Sequence, residues 1–193
     1  MAKEHQQQLR RTIQKAAINL ATIHGFDGFT MKDLAQEVGI SRSSLFNYTK
    51  DKVSAVLGTE DQTLDALIQQ VWQTTPPVPS PYEDGVHLIN EVLTHVIPTV
   101  EETQLITDSF ALAQQEPKLM RALSQRQEST RAFLAQTVGQ RHPHLSSEEA
   151  RLLGNTLALL LDEAIQRSLI DRRSSLSTTF LLVVADYNRL IER

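Results

Sequence analysis

The sequence predicts an all-α protein of about nine helices. Apolar residues recur at spacings of three and four rather than two throughout the 193 residues, the period of a helix with one buried face. Glycine and proline fall between these stripes rather than inside them, and Ser, Thr or Asp often stands just before a stripe, where a side-chain oxygen can cap a helix.

The elements follow in order. Leu9, Ile13, Ala16, Ala17, Leu20 and Ile23 form the first stripe, which ends at Gly25. Thr30 caps a short helix with Met31, Leu34, Ala35 and Val38 on its apolar side, and Gly39 supplies the backbone freedom of a tight turn. Ser41 caps the next helix, through Tyr48. Asp51 opens a fourth, long helix carrying Val53, Val56, Leu57, Leu64, Leu67, Ile68, Val71 and Trp72 and running to about Gln73. Thr-Thr-Pro-Pro-Val-Pro-Ser-Pro at 74–81 holds four of the seven prolines and cannot be helix interior. Helices are then expected over Tyr82–Ile97, Val100–Gln115 and Pro117–Val138, with Pro117 in a first turn and Gly139 after the last. Ser146 and Glu149 form a capping box for a long helix to Ile170, and Ser177 starts the last, through Ile191.

Residues 30–52 therefore read as a helix-turn-helix followed by a helix opened by lysine, which makes DNA the first partner to consider. Arg42, Ser43, Ser44, Asn47 and Tyr48 all carry hydrogen-bonding groups, and Arg42 suits a bidentate pair with guanine O6 and N7. The net charge of −4 argues against a nucleic-acid binder, but its distribution does not. Residues 1–52 hold eight Lys/Arg against five Asp/Glu, a balance of +3, and the remainder holds eleven against eighteen, a balance of −7. A basic head on an acidic body suits contact with phosphate at one end only. The division expected is a DNA-binding domain over 1–52 and an effector-binding and dimerisation domain over 53–193.

No apolar run approaches the roughly 20 residues a membrane span requires. The start, Met-Ala-Lys-Glu-His-Gln, lacks a signal-peptide core, so a cytoplasmic protein is expected. Zero cysteines exclude disulfides and thiolate chemistry. The six histidines, including His142-Pro-His144 in a loop, show no metal-ligand spacing; no Gly-rich phosphate loop or Gly-x-Ser-x-Gly elbow occurs. Neither an enzyme nor a metal or cofactor site is expected.

The stretch from Ile13 to Leu57 resembles the DNA-binding domain of the TetR family of bacterial transcriptional regulators. The matching features are Ala16-Ala17 and Leu20, Gly25-Phe26 before Thr30, Leu34-Ala35, Val38-Gly39-Ile40-Ser41, and Leu45-Phe46-Asn47-Tyr48 followed by Lys50-Asp51-Lys52. The resemblance implies a homodimeric repressor bound to a near-palindromic operator and released by a small ligand. It also implies base reading by Arg42, Ser43, Ser44 and Tyr48 and phosphate contacts from Thr30, Ser41 and Lys52. By their own chemistry the Asn47 amide and the Lys32 charge are further candidates. Two positions depart from the family pattern. Phe46 stands where tyrosine is common, and Thr49 where phenylalanine is usual, so the small core is expected to be filled by Phe26, Phe29 and Phe46.

Two expectations concern the body. The last two helices are apolar nearly all round, which implies burial on two sides and a dimer seam through Gly154, Leu157, Leu161, Phe180, Val184 and Tyr187. A small apolar effector would be held by Trp72, His87, His95, Phe110, Met120 and Phe133. The alternative is a DNA-bound interaction protein controlled by a protein partner.

Overall fold

The computed structural model describes residues 2–59 and 64–192. Among them the chain is all helical: α1 (Ala2–His24), a 3-10 turn (Phe26–Gly28), α2 (Met31–Val38), α3 (Arg42–Phe46), α4 (Lys52–Leu57), α5 (Leu64–Trp72), α6 (Pro81–Val96), α7 (Val100–Ala113), α8 (Pro117–Arg141), α9 (Ser147–Ile170) and α10 (Leu176–Ile191). No helix among the described residues is long and apolar enough to cross a membrane. The chain divides into two compact units, Met1–Thr63 with Asp108–Leu123, and Leu64–Thr107 with Ser124–Arg193.

Side-chain caps set many of the boundaries. Thr30, Ser41, Asp51, Ser80, Ser146 and Ser175 each accept a hydrogen bond from a backbone N–H in the first turn, satisfying a donor that the helix itself leaves unpaired. At Thr30 and Ser146 the box is closed by the side chains of Asp33 and Glu149. The last helix is thus capped two residues earlier than Ser177. Gly39 takes φ 74°, a left-handed conformation that ends α2.

The fourth expected helix is two helices. α4 stops at Leu57 because Gly58 adopts φ 82° and ψ 163°, which no helix accommodates, and α5 begins at Leu64. The apolar stripe continues in phase across this break, so periodicity alone reads through it. The linking part of that expectation, 60–63, lies outside the described residues.

In the first unit Ile13, Ala17, Phe26, Phe29, Leu34, Leu45 and Val56 are buried. Phe46 does not join them: it is 44% exposed, and Thr49, 3% exposed, is buried in the head with its hydroxyl donating to Asp51 O at 3.2 Å. Ile23 also leaves the stripe assigned to it and is exposed.

The second unit is built on α6, α9 and α10, with Leu88, Ile89, Val92, Leu157, Leu160, Ala164, Leu176, Phe180 and Val183 buried. Two glycines allow the close packing. A Cβ at Gly85 would lie 2.3 Å from Leu157 Cδ1, and one at Gly154 would lie 2.5 Å from the backbone nitrogen of Ala135 on α8. Gly154 therefore admits a helix of its own chain. Leu157, Leu161, Phe180 and Val184 are likewise buried in that chain's core, and Tyr187 is half-buried beside Tyr82, their ring centroids 6.0 Å apart. α9 and α10 thus use the residues of the expected seam within the chain. They expose a different set, Leu152, Leu159, Leu181, Leu182, Leu190 and Ile191.

A buried ion pair ties the proline-rich loop to this unit. Arg141, at the end of α8, donates from Nε to Asp84 Oδ2 at 2.6 Å and from Nη2 to Oδ1 at 2.9 Å, and its guanidinium also reaches Thr75 O. Val78 N–H and His142 Nε2 complete the carboxylate's partners, each at 2.9 Å. Burial acts to raise the Asp84 pKa, but the hydrogen bonds from Arg141, Val78 and His142 and the guanidinium charge outweigh it and hold the carboxyl below its ordinary range.

Arg141→Met should destabilise the protein by about 3–5 kcal/mol in urea unfolding at neutral pH, because it leaves the Asp84 charge buried without its partner. The depressed folded pKa means that Asp84 contributes fully above its unfolded value, roughly 3.9, and loses that contribution as pH falls through the folded value. The gap between wild type and variant should therefore narrow on acidification below about pH 5. A gap independent of pH would exclude the ion pair as its source.

Candidate nucleic-acid interface

The interface is assembled on the short helix α3 and on the turns that hold it. Ser41 Oγ accepts from Ser44 N–H at 3.0 Å and lies 2.9 and 2.8 Å from the hydroxyls of Ser43 and Ser44, so three hydroxyls share one hydrogen-bond cluster at the helix start. Arg42, Ser43, Phe46 and Asn47 are exposed; Ser44 and Tyr48 are half-buried. The spacing of 42, 43, 46 and 47 brings them to one face of the helix. Arg42 lies over the Phe46 ring, its guanidinium carbon 5.6 Å from the centroid. The exposed phenylalanine thus has a role the sequence did not reveal, as a platform that limits the motion of the arginine.

Thr30 and Lys32 are exposed at the start of α2. The Thr30 hydroxyl donates to Asp33 Oδ2 at 2.7 Å, and the hydrogen bonds from Thr30 hold the Asp33 pKa low.

Lys52 is placed differently from its phosphate-gripping expectation. Its ammonium donates to Phe26 O at 2.6 Å and Phe29 O at 2.8 Å, and it sits 4.9 and 4.8 Å from the centroids of the same two rings. The rings themselves meet edge to face at 6.3 Å. Lys52 therefore fastens α4 to the turn that precedes α2. The start of α8 reaches the same turn: Lys118 Nζ donates to both carboxylate oxygens of Asp27, at 2.7 and 2.9 Å. The pair is largely exposed; the Lys118 hydrogen bond, followed by its charge, lowers the Asp27 pKa.

The expected effector residues differ in exposure. Trp72, Phe110 and Phe133 are half-buried, whereas His87, His95 and Met120 are exposed, and His95 Nδ1 lies 2.9 Å from the backbone oxygen of Glu91. Among the described residues no group of His, Asp or Glu is arranged to hold a metal ion.

What this surface can do chemically is bounded by its groups. Arg42 offers a forked set of N–H donors, Asn47 both donor and acceptor, and the serines either role, a combination that fits base edges and phosphate oxygens and contains no nucleophile–base pair.

Comparison with known proteins supports this reading of the head. Residues 13–54 match the family described as "Bacterial regulatory proteins, tetR family". No curated protein gives a significant match. Among solved structures, a Mesorhizobium loti protein described as a TetR-family transcriptional regulator superposes with a TM-score of 0.52 at 20% identity, covering 96% of this chain and 97% of that one. A Clostridium perfringens protein described as a fatty acid metabolism regulator gives 0.49 at 13% identity, covering 89% and 94%. The first likeness carries the fold from end to end.

Lys52→Met should lower the stability of the head by about 2 kcal/mol, since two carbonyls lose a charge-assisted donor. Amide exchange of α2 and α4 should accelerate together. Protection unchanged in both helices would show that the ammonium does not fasten them.

Proposed function

We propose that this chain, a transcriptional regulator of the TetR family, is a repressor that binds a near-palindromic operator as a homodimer and is released by a small ligand. The observation that carries the DNA-binding part is the exposed polar face of α3, with Arg42 braced over Phe46 beside a hydroxyl cluster. Arg42 reads a base, Ser43, Ser44, Asn47 and Tyr48 contact bases or backbone, and Thr30, Lys32 and Ser41 meet phosphates. Lys52 takes part by holding the motif in shape. The division of labour is a DNA-binding segment over 1–52 and a sensing and dimerising segment over 53–193.

Dimerisation is supported by the leucines that α9 and α10 leave exposed. Leu152 and Leu159 are seven residues apart and share one side of α9, and Leu181 and Leu182 stand out on α10. Exposed apolar side chains in such number gain from removal from water, and a second copy offers the same set by symmetry. Two α3 helices would then face half-sites about 34 Å apart, one turn of the duplex. A ligand releases the repressor only if it binds better to a dimer whose helices miss that spacing. Trp72, Phe110 and Phe133, with His87, His95 and Met120, are the side chains proposed to meet it.

Fragments selected from the source genome by the purified protein should share an inverted repeat, and Arg42→Ala should lose about 1–3 kcal/mol on the best of them with an altered sequence preference. Equal losses on selected and random duplexes would remove Arg42 from base reading. Added metabolites that release the fragment would identify the effector, and none would do so if a protein partner controls release. Sedimentation should give a dimer for the wild type and a monomer for Leu159→Asp with Leu182→Asp, with helical content retained. A monomeric wild type at micromolar concentration would end the dimer proposal.

A further inference from the structure

Phe46 offers the DNA more than support for Arg42. Among the described residues of α2, α3 and α4 it is the one large apolar side chain that stays exposed. With the Arg42 guanidinium already over its ring, 44% of the residue remains accessible, whereas Phe26 and Phe29 of the same unit are buried. It shares its face of α3 with Arg42, Ser43 and Asn47, so a duplex that meets those groups also meets the ring. A phenyl ring has neither donor nor acceptor, and what it can recognise is another apolar group. Base pairs present one such group in the major groove, the C5 methyl of thymine.

We propose that Phe46 is a specificity-determining residue that packs against a thymine methyl while Arg42 pairs with a neighbouring guanine. The inference rests on the base-reading role proposed for Arg42 and adds to it a contact of opposite chemistry. Distance sets the register. The guanidinium carbon lies 5.6 Å from the ring centroid, and successive base pairs are about 3.4 Å apart, so the two side chains address base pairs one or two steps apart. Burial favours the methyl: ring and methyl leave water together on contact, whereas a pyrimidine without the methyl leaves part of the ring wet. The stacking also couples the two contacts. A guanidinium over the ring limits its swing, and a methyl that covers the ring excludes water from beside the guanidinium, where a cation–π contact gains from desolvation.

The test exchanges thymine for deoxyuridine, which removes the methyl and keeps every hydrogen-bonding group of the base pair. Fragments selected by the purified protein are synthesised with each thymine replaced in turn. Made with unmodified cytosine, they carry no other C5 methyl, so thymine is its sole source. The wild type should lose about fourfold in affinity, the worth of one buried methyl, at a thymine within two base pairs of the guanine whose preference Arg42→Ala abolishes. In Phe46→Ala and Phe46→Gln the thymine and deoxyuridine duplexes should bind equally at that position. The readout is a ratio of two duplexes for one protein, so a general loss of affinity cancels, and circular dichroism melting identifies a variant that fails to fold. A wild type indifferent to every replacement, while still preferring selected over random duplexes, overturns the Phe46 contact and leaves the Arg42 role standing. A methyl that matters equally to the wild type and to both variants belongs to another side chain and also overturns it. A wild type with no preference for selected duplexes defeats the base-reading role itself, and the Phe46 contact with it.

Discussion

The placement of the exposed face of α3 depends on one ammonium group. Lys52 lies at the first position of α4, yet its side chain turns back to the carbonyls of Phe26 and Phe29 and to the faces of both rings. A cation partly withdrawn from water needs such partners, and here the partners are the two ends of the turn that leads into α2. The lysine thereby fixes the distance between α4 and the start of the helix-turn-helix. With Thr30 closing the capping box of α2 and Ser41 capping α3, the direction in which Arg42 leaves the surface is determined by local hydrogen bonds. Such preorganisation would matter for the base reading proposed for Arg42, because a bidentate pair tolerates little misplacement.

The second unit uses a different constraint for a similar end. A loop with three prolines, Pro76, Pro77 and Pro79, cannot supply a regular set of backbone hydrogen bonds, so its position must come from outside. Asp84 and Arg141 provide it: the carboxylate accepts from Val78 N–H and the guanidinium donates to Thr75 O, so two points of the loop are held by one buried pair. The cost of burying two charges is offset because each of the remaining donors and acceptors finds a partner.

How much of this was legible in the sequence depends on range. Thr30, Ser41, Asp51 and Ser146 were legible as caps, because a cap involves residues three apart and its chemistry is local. The all-helical class followed from periodicity and the Gly39 turn from the backbone freedom of glycine; of the polar positions on α3, Arg42, Ser43 and Asn47 are exposed while Ser44 and Tyr48 are half-buried. What was not legible required partners far along the chain. Lys52 reads as a phosphate contact until Phe26 and Phe29 are brought to it across more than twenty residues, and the Asp84–Arg141 pair joins residues 57 apart. The apolar excess of α9 and α10 signalled two buried sides but could not say which arc the chain itself would claim. Phe46 was misjudged for a related reason: aromatic bulk favours the core, but the buried place in the turn belongs to Thr49, whose hydroxyl satisfies a backbone oxygen.

The three linked hydroxyls at the start of α3 carry a consequence for how a binding site can drift over time. Each serine oxygen can give or receive, and the direction of the bonds among Ser41, Ser43 and Ser44 is not fixed by any charged neighbour in the cluster. Reversing one hydroxyl rotor converts a reader of acceptors into a reader of donors with no movement of heavy atoms. In the proposed complex, base pairs opposite these serines would be interchangeable at little energetic expense, whereas a pair opposite Arg42 would meet only donors. On that proposal, degenerate positions would be tolerated around one stringent contact, and new target sites could arise by single base changes without any change in the protein.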